Sequence, residues 1–282
     1  MTDSSRFSKV FLLWGVLVFL PLFVLPAAGQ ASAWSLPGAG EKLAVYALAG
    51  GTSSARETYL SESTYSGWSV AAVADSWKGR PGDHTMGYGR VHSDLLFSSM
   101  KNWLGGGSTW QLMGNYSYSL ESLVVNTDAS DLLLGPAAML NAGVLYNRAN
   151  SNNPATFEGY MALGICADYT CRCRIRQYPM ALQGSLYVPL AGVGFAPDYD
   201  QPYWHMYHYR QYDRTLHFVW PVNSLVWRGQ VAVVLPVFDG RLRLGADFDY
   251  LHNRLGGHLR RITHTQFELG YVFTFEHKSW RL

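Results

Sequence analysis

His205 and His208 lie three residues apart among Tyr203, Tyr207 and Tyr209, with Asp198 and Asp200 just upstream. An imidazole oriented by a carboxylate could act as a general base toward an ester or acyl group. Such a base needs contact geometry that spacing alone does not supply. The chain has no Gly-x-Ser-x-Gly elbow and no His-Glu-x-x-His pair, and nothing singles out Ser66 or Ser185 as a nucleophile. The same histidines read more simply as amphipathic residues of an interfacial aromatic belt. Gly105-Gly106-Gly107 has no Lys-Ser/Thr after it, so it is not a phosphate loop. The chain holds 3 cysteines. Cys166, Cys171 and Cys173 allow one disulfide or none, and alone they lack a fourth zinc ligand at sensible spacing. No metal, cofactor or catalytic residue is assigned.

Charged side chains in alternating positions carry more information. In Arg241 to Tyr250, Arg241, Arg243, Asp247 and Asp249 share one parity, while Leu242, Leu244, Ala246, Phe248 and Tyr250 share the other. Side chains alternate faces along a strand, so one face is charged and the other apolar. Arg228 and Glu268 fall on the charged face of neighbouring segments, and Arg90, His92 and Asp94 share a parity earlier in the chain. Buried charges persist only when paired or hydrated. The candidate site is therefore an inward network of Arg228, Arg241, Arg243, Asp247, Asp249 and Glu268, either a salt-bridged plug or the lining of a selective pore.

The elements that must carry these residues are strands. Ser108 to Glu121 sets Trp110, Leu112, Tyr116, Tyr118 and Leu120 against Gln111, Met113, Asn115, Ser119 and Glu121, a period of two rather than 3.6. Thr263 to Glu276 repeats the pattern, with Phe267, Leu269, Tyr271, Phe273 and Phe275 opposite Gln266, Glu268, Gly270 and Thr274. Pro136 suggests a bulge in its segment. With Asp239-Gly240 as a two-residue hairpin loop, Val231 pairs with Phe248, Val233 with Ala246 and Leu235 with Leu244. His252, His258 and His264 with Arg254, Arg260 and Arg261 read as one basic loop outside the cell, solvated or touching lipopolysaccharide phosphates. Nine or ten segments of about 12 to 16 residues recur, each longer than the roughly 9 to 11 needed to cross a bilayer.

Arg6 and Lys9 precede an apolar run from Val10 to Leu25, and Ala31-Ser32-Ala33 offers a cleavage site before Trp34. The expected organisation is a signal peptide over 1–33, an extended lead-in over 34–63 with at most a short strand at 42–49, and a barrel over 64–282. Charged residues make up 15% and aromatics 15%, with 28 glycines, where a soluble chain carries about 25% charge. A formal charge of +2 gives no reason to expect nucleic acid. Backbone groups in lipid must all be paired, so the sheet must close. The expected fold is an all-β antiparallel transmembrane β-barrel of 10 or 12 strands, monomeric, in the outer membrane, with membrane lipid and lipopolysaccharide as partners.

Thr58-Tyr59-Leu60-Ser61 with Tyr65-Ser66-Gly67, the turn with Asn152-Asn153-Pro154, and Pro197-Asp198-Tyr199 with Tyr203-Trp204 carry a family likeness. They resemble an uncharacterised outer-membrane β-barrel family of Bacteroidetes. That resemblance implies a barrel and no assigned activity. Two roles follow as expectations: a structural protein or narrow channel or receptor, and alternatively a barrel enzyme acting on lipid A or phospholipid acyl chains.

Overall fold

The computed structural model describes residues 33–275 except 81–86, 105, 151–153, 177, 199–201, 211, 213–214 and 238–239. The apolar leader and the proposed cleavage site's upstream half lie outside the described residues. The strands are β1 (Lys42–Glu57), β2 (Ser61–Gly79), β3 (Tyr88–Lys101), β4 (Ser108–Asn126), β5 (Ser130–Asn147), β6 (Ala155–Ile175), β7 (Tyr178–Phe195), β8 (Leu216–Val219), β9 (Ser224–Val237), β10 (Gly240–Leu255) and β11 (His258–Phe275). A short helix, α1 (Tyr203–Tyr209), lies between β7 and β8.

Successive strands pair antiparallel, except β8 with β9, and β1 pairs with β11 along its length, closing the sheet. β8 and β9 are one stave. Both pair antiparallel with β7, Val219 opposite Gly192 and Arg228 opposite Tyr187, and a short excursion at 220–223 separates them. The Asn223 side chain holds that excursion, accepting from the Trp220 N–H at 2.9 Å and donating to the Phe218 carbonyl at 2.8 Å. The result is a closed, antiparallel, ten-stranded β-barrel.

The faces follow the alternation. Phe267, Leu269, Tyr271, Phe273 and Phe275 are exposed on the wall, whereas Gln266 and Glu268 are buried inside. Trp110, Leu112, Tyr116, Tyr118 and Leu120 repeat this on β4, opposite buried Gln111, Asn115, Ser119 and Glu121. A water-soluble sheet would bury the first set; a wall facing hydrocarbon leaves them outside. Phe248 also faces out by register, but the side chains around it cover it.

Several local expectations are corrected. Residues 42–57 are not a lead-in: β1 is a full stave. Its alternation is hidden because the inner face is lined there with small residues. A Cβ on Gly51 would stand 2.0 Å from the Thr265 carbonyl oxygen, so only glycine allows that approach. In the β9–β10 hairpin Gly240 lies opposite Val237, so Val231 meets Ala246 rather than Phe248. The slip is two residues, which leaves every side chain on its expected face.

Pro136 makes no bulge. It pairs in register with Ile165 on β6, and the β4 side loses its pairs beside it, as a residue without an N–H requires. The shift in that ladder falls at Leu123/Val125 instead. The basic stretch 252–264 is no loop either. Gly256 and Gly257, at φ 57 and 77, turn the chain in two residues, and His258 starts β11 opposite Leu255. Arg260 and His264 consequently point into the barrel.

At the end of the barrel near the chain termini, residues 33 and 34 enter the mouth. Trp34 is 1% exposed and meets the Trp77 ring edge-on at 5.2 Å, among Leu43, Val45, Ala181, Val234 and Val272. Arg172 Nε donates to the Trp34 carbonyl at 3.0 Å and also pairs with Asp131. The other end, where α1 lies, is called the loop end below.

Candidate functional site

The inward charges meet inside the barrel. Asp75 of β2 accepts from Arg243 Nη1 at 3.1 Å, from Arg90 Nη2 at 3.3 Å and from His92 Nδ1 at 2.8 Å. Arg243 also holds Glu268 at 2.5 Å. Arg90 also pairs with Asp168, donates to Ser185 at 2.9 Å and lies 5.0 Å over the Trp77 ring. His92 Nε2 reaches Asp94 at 3.1 Å, and Asp94 is 3.1 Å from Arg228 Nη1. Arg228 grips Asp249 through Nε at 2.5 Å and Nη2 at 3.1 Å, a forked pair. Seven of the ten staves contribute, so the network cross-braces the cylinder from within.

Of the six residues picked from the sequence, Arg228, Arg243, Asp249 and Glu268 are in this network. Asp247 lines the gap beside it. Arg241 shares their parity but sits at the rim and bonds Thr274 instead. Asp75, Arg90, His92, Asp94 and Asp168 complete the site. The shared parity of Arg90, His92 and Asp94 was a visible signal; Asp75 and Asp168 stood alone in their segments. Two gaps bordered by these side chains measure about 30 and 20 Å³. A single water needs roughly 10–15 Å³, so each of these two gaps has room for one or two waters.

A second layer fills the loop end. Arg260 pairs with Glu57, lies 4.0 Å from Glu158 and donates to the Phe157 carbonyl at 3.2 Å. Gln111 Nε2 holds Glu158 at 2.9 Å. Ser53 Oγ and His264 Nδ1 are 2.7 Å apart, both buried. This Ser–His pair lies inside the packed lumen.

Tyr203 of α1 pins the long β7–β8 connection to β6. Its hydroxyl accepts from the Phe157 N–H at 2.8 Å and meets Thr156 Oγ1 at 2.9 Å. Tyr59 packs edge-on against Tyr203 and against His258, at 5.7 and 5.0 Å. Burial pushes the Tyr59 hydroxyl up to about 12 and raises that of Tyr203, so both stay protonated at neutral pH. Tyr203→Phe removes both bonds and should cost about 1–2 kcal/mol locally. Faster amide exchange at Phe157 and through 196–215, with unchanged exchange in β1 and β11, is the expected result.

Among the described residues no hydrogen bond joins His205 or His208 to a serine or a carboxylate. His208 stacks on Trp204 at 4.7 Å and both His205 and His208 are exposed. Pro154, Pro197 and Asp198 are described; Asn152, Asn153, Tyr199 and Asp200 lie outside the described residues. The three cysteines are free. Cys166 faces the lumen, while Cys171 and Cys173 fall on the other parity of β6.

Fold and lumen together define a β-barrel of the outer-membrane type with a charge-filled interior. The chain belongs to the family of proteins of unknown function DUF3316, whose model matches residues 16–280. No curated protein matches the sequence. Among solved structures, the chain is similar to an outer-membrane channel from Pseudomonas putida F1, at 12% identity and TM-score 0.38, covering 88% of this chain and 100% of that one. It is also similar to the translocator domain of the autotransporter NalP from Neisseria meningitidis, at 12% identity and TM-score 0.27, covering 95% and 98%.

Proposed function

We propose that this protein is a non-conducting outer-membrane barrel with a structural role. Its wall holds it in the bilayer and its salt-bridged interior makes the cylinder rigid. The observation that carries the reading is the size of the two gaps within the charged network, about 30 and 20 Å³. Hydrated ions and nutrients need a continuous path far wider than that. Arg–carboxylate pairs fill the space that a channel would leave to water.

Purified protein reconstituted into planar bilayers tests it. The expected record is a flat baseline, with insertion verified separately by the heat-dependent gel mobility of a folded barrel. Discrete porin-sized conductance steps would overturn the reading.

The enzyme alternative draws less support. His205 and His208 face solvent beside aromatic rings rather than a serine or aspartate, and the Ser53–His264 pair is sealed. His205→Ala with His208→Ala is expected to leave the acyl pattern of lipid A unchanged when the protein is expressed. Loss of a deacylated product on that double change would restore the enzymatic reading.

A further inference from the structure

On the outer wall near the loop end, three adjacent staves place basic side chains at one level. His252 of β10 lies directly opposite Arg261 of β11, and Arg261 lies directly opposite Arg56 of β1. All three fall on the outward parity, since Asn253, Arg260 and Glu57 beside them are buried in the lumen. Arg254, also outward, stands one step nearer the loop end. With strands about 4.8 Å apart, the row spans roughly 10 Å of wall.

Like charges directly opposite each other on neighbouring strands repel. Glu62, largely exposed, lies 3.0 Å from Arg56 Nη2 at one end of the row. Arg261 and His252 instead meet each other, Nε to Nδ1 at 3.4 Å. Directly toward the middle of the wall, Trp227, Tyr250 and His252 form a stacked ladder at 6.3 and 6.4 Å. Amphipathic rings of this kind mark the depth at which hydrocarbon gives way to headgroups. The basic row therefore stands at headgroup depth.

We infer that Arg56, Arg261, His252 and Arg254 form a docking site for the phosphate groups of a membrane lipid. The inference rests on the barrel lying in a membrane. Guanidinium groups donate forked hydrogen bonds to phosphate oxygens, and the anion relieves the repulsion within the row. Lipid phosphate is the favoured source because the row faces outward at the edge of the apolar wall, where acyl chains can lie along Tyr250 and Trp227 while the headgroup meets the arginines. Arg260, one residue away in sequence, takes no part because it points inward to Glu57.

The test uses the full-length barrel folded in phosphatidylcholine vesicles, with wild type, Arg56→Gln/Arg261→Gln and Arg56→Lys/Arg261→Lys compared. Insertion is read first, by vesicle flotation and heat-dependent gel mobility; a wild-type barrel that does not insert overturns the membrane reading itself, separately from the site. Binding is then read by native mass spectrometry with bisphosphorylated lipid A, its dephosphorylated form, and inorganic phosphate. The expected result is at least a tenfold preference for the phosphorylated lipid, lost in the Gln variant and largely retained in the Lys variant, while all three proteins fold. Equal retention of the two lipids by wild type, or undiminished preference in a folded Gln variant, would overturn the site. Binding of inorganic phosphate as tight as that of the lipid would overturn the lipid as its source.

Discussion

Arg243→Met should destabilise the barrel by about 3–5 kcal/mol, the usual cost of removing one member of a buried ion pair. Arg243 is 1% exposed and touches two carboxylates, Asp75 and Glu268, which are themselves buried. Methionine fills most of the volume, so the loss is electrostatic rather than a cavity. Asp75 keeps Arg90 and His92 after the change, whereas Glu268 keeps no cation within ion-pair distance among the described residues. The stranded charge is therefore Glu268, and Arg243→Met with Glu268→Gln should recover most of the stability. Urea unfolding in short-chain lipid vesicles, followed by tryptophan fluorescence, measures both proteins. A single variant as stable as wild type would mean that water already screens this pair, and a double variant as weak as the single would mean that packing was lost instead.

This pair also shows how far the sequence could be read. The hairpin Ser224–Leu255 announced Arg228, Arg243 and Asp249 because each alternates with bulky apolar residues that mark the other face. β4 and β11 were legible for the same reason. β1 was not, because Ala-Gly-Gly-Thr-Ser-Ser has no large side chains to set a period, and yet it is the stave that closes the cylinder. Alternation assigns a side chain to a face but not to a partner. Asp168 could not be joined to Arg90 from sequence, nor Asp75 to Arg243, because those contacts cross the lumen between staves that are not neighbours. Arg241 misled for a related reason: parity fixes direction and says nothing of height, and at the rim an inward side chain meets solvent.

The lumen's filling also depends on how sharply the wall bends, which leads to the second large effect. A cylinder of ten staves is narrow, and the sheet must fold hard at certain places to close. Inward glycines mark them. At Gly135 of β5 an added Cβ would stand 1.8 Å from the Leu120 carbonyl oxygen and 2.8 Å from the Glu121 Cα. Real contacts of that kind essentially never fall below 3.0 Å, and both atoms belong to backbone, which cannot swing away as a side chain would. Next to it Pro136 already leaves the β4–β5 ladder without pairs at this point. Gly135→Val must therefore either straighten β5 or break the ladder further. Overpacking in a well-ordered interior costs about 1–3 kcal/mol when side chains can adjust, and here they cannot, so the penalty should exceed that range. The expected outcome is a protein that stays in the unfolded gel position after refolding into vesicles, while Gly50→Ala, where the added carbon meets nothing nearer than the Ser69 carbonyl oxygen at 3.9 Å, folds to about nine-tenths or more of the wild-type yield. Normal folding of Gly135→Val would show that the β4–β5 corner relaxes easily, and the barrel's tight cross-section would then need another cause.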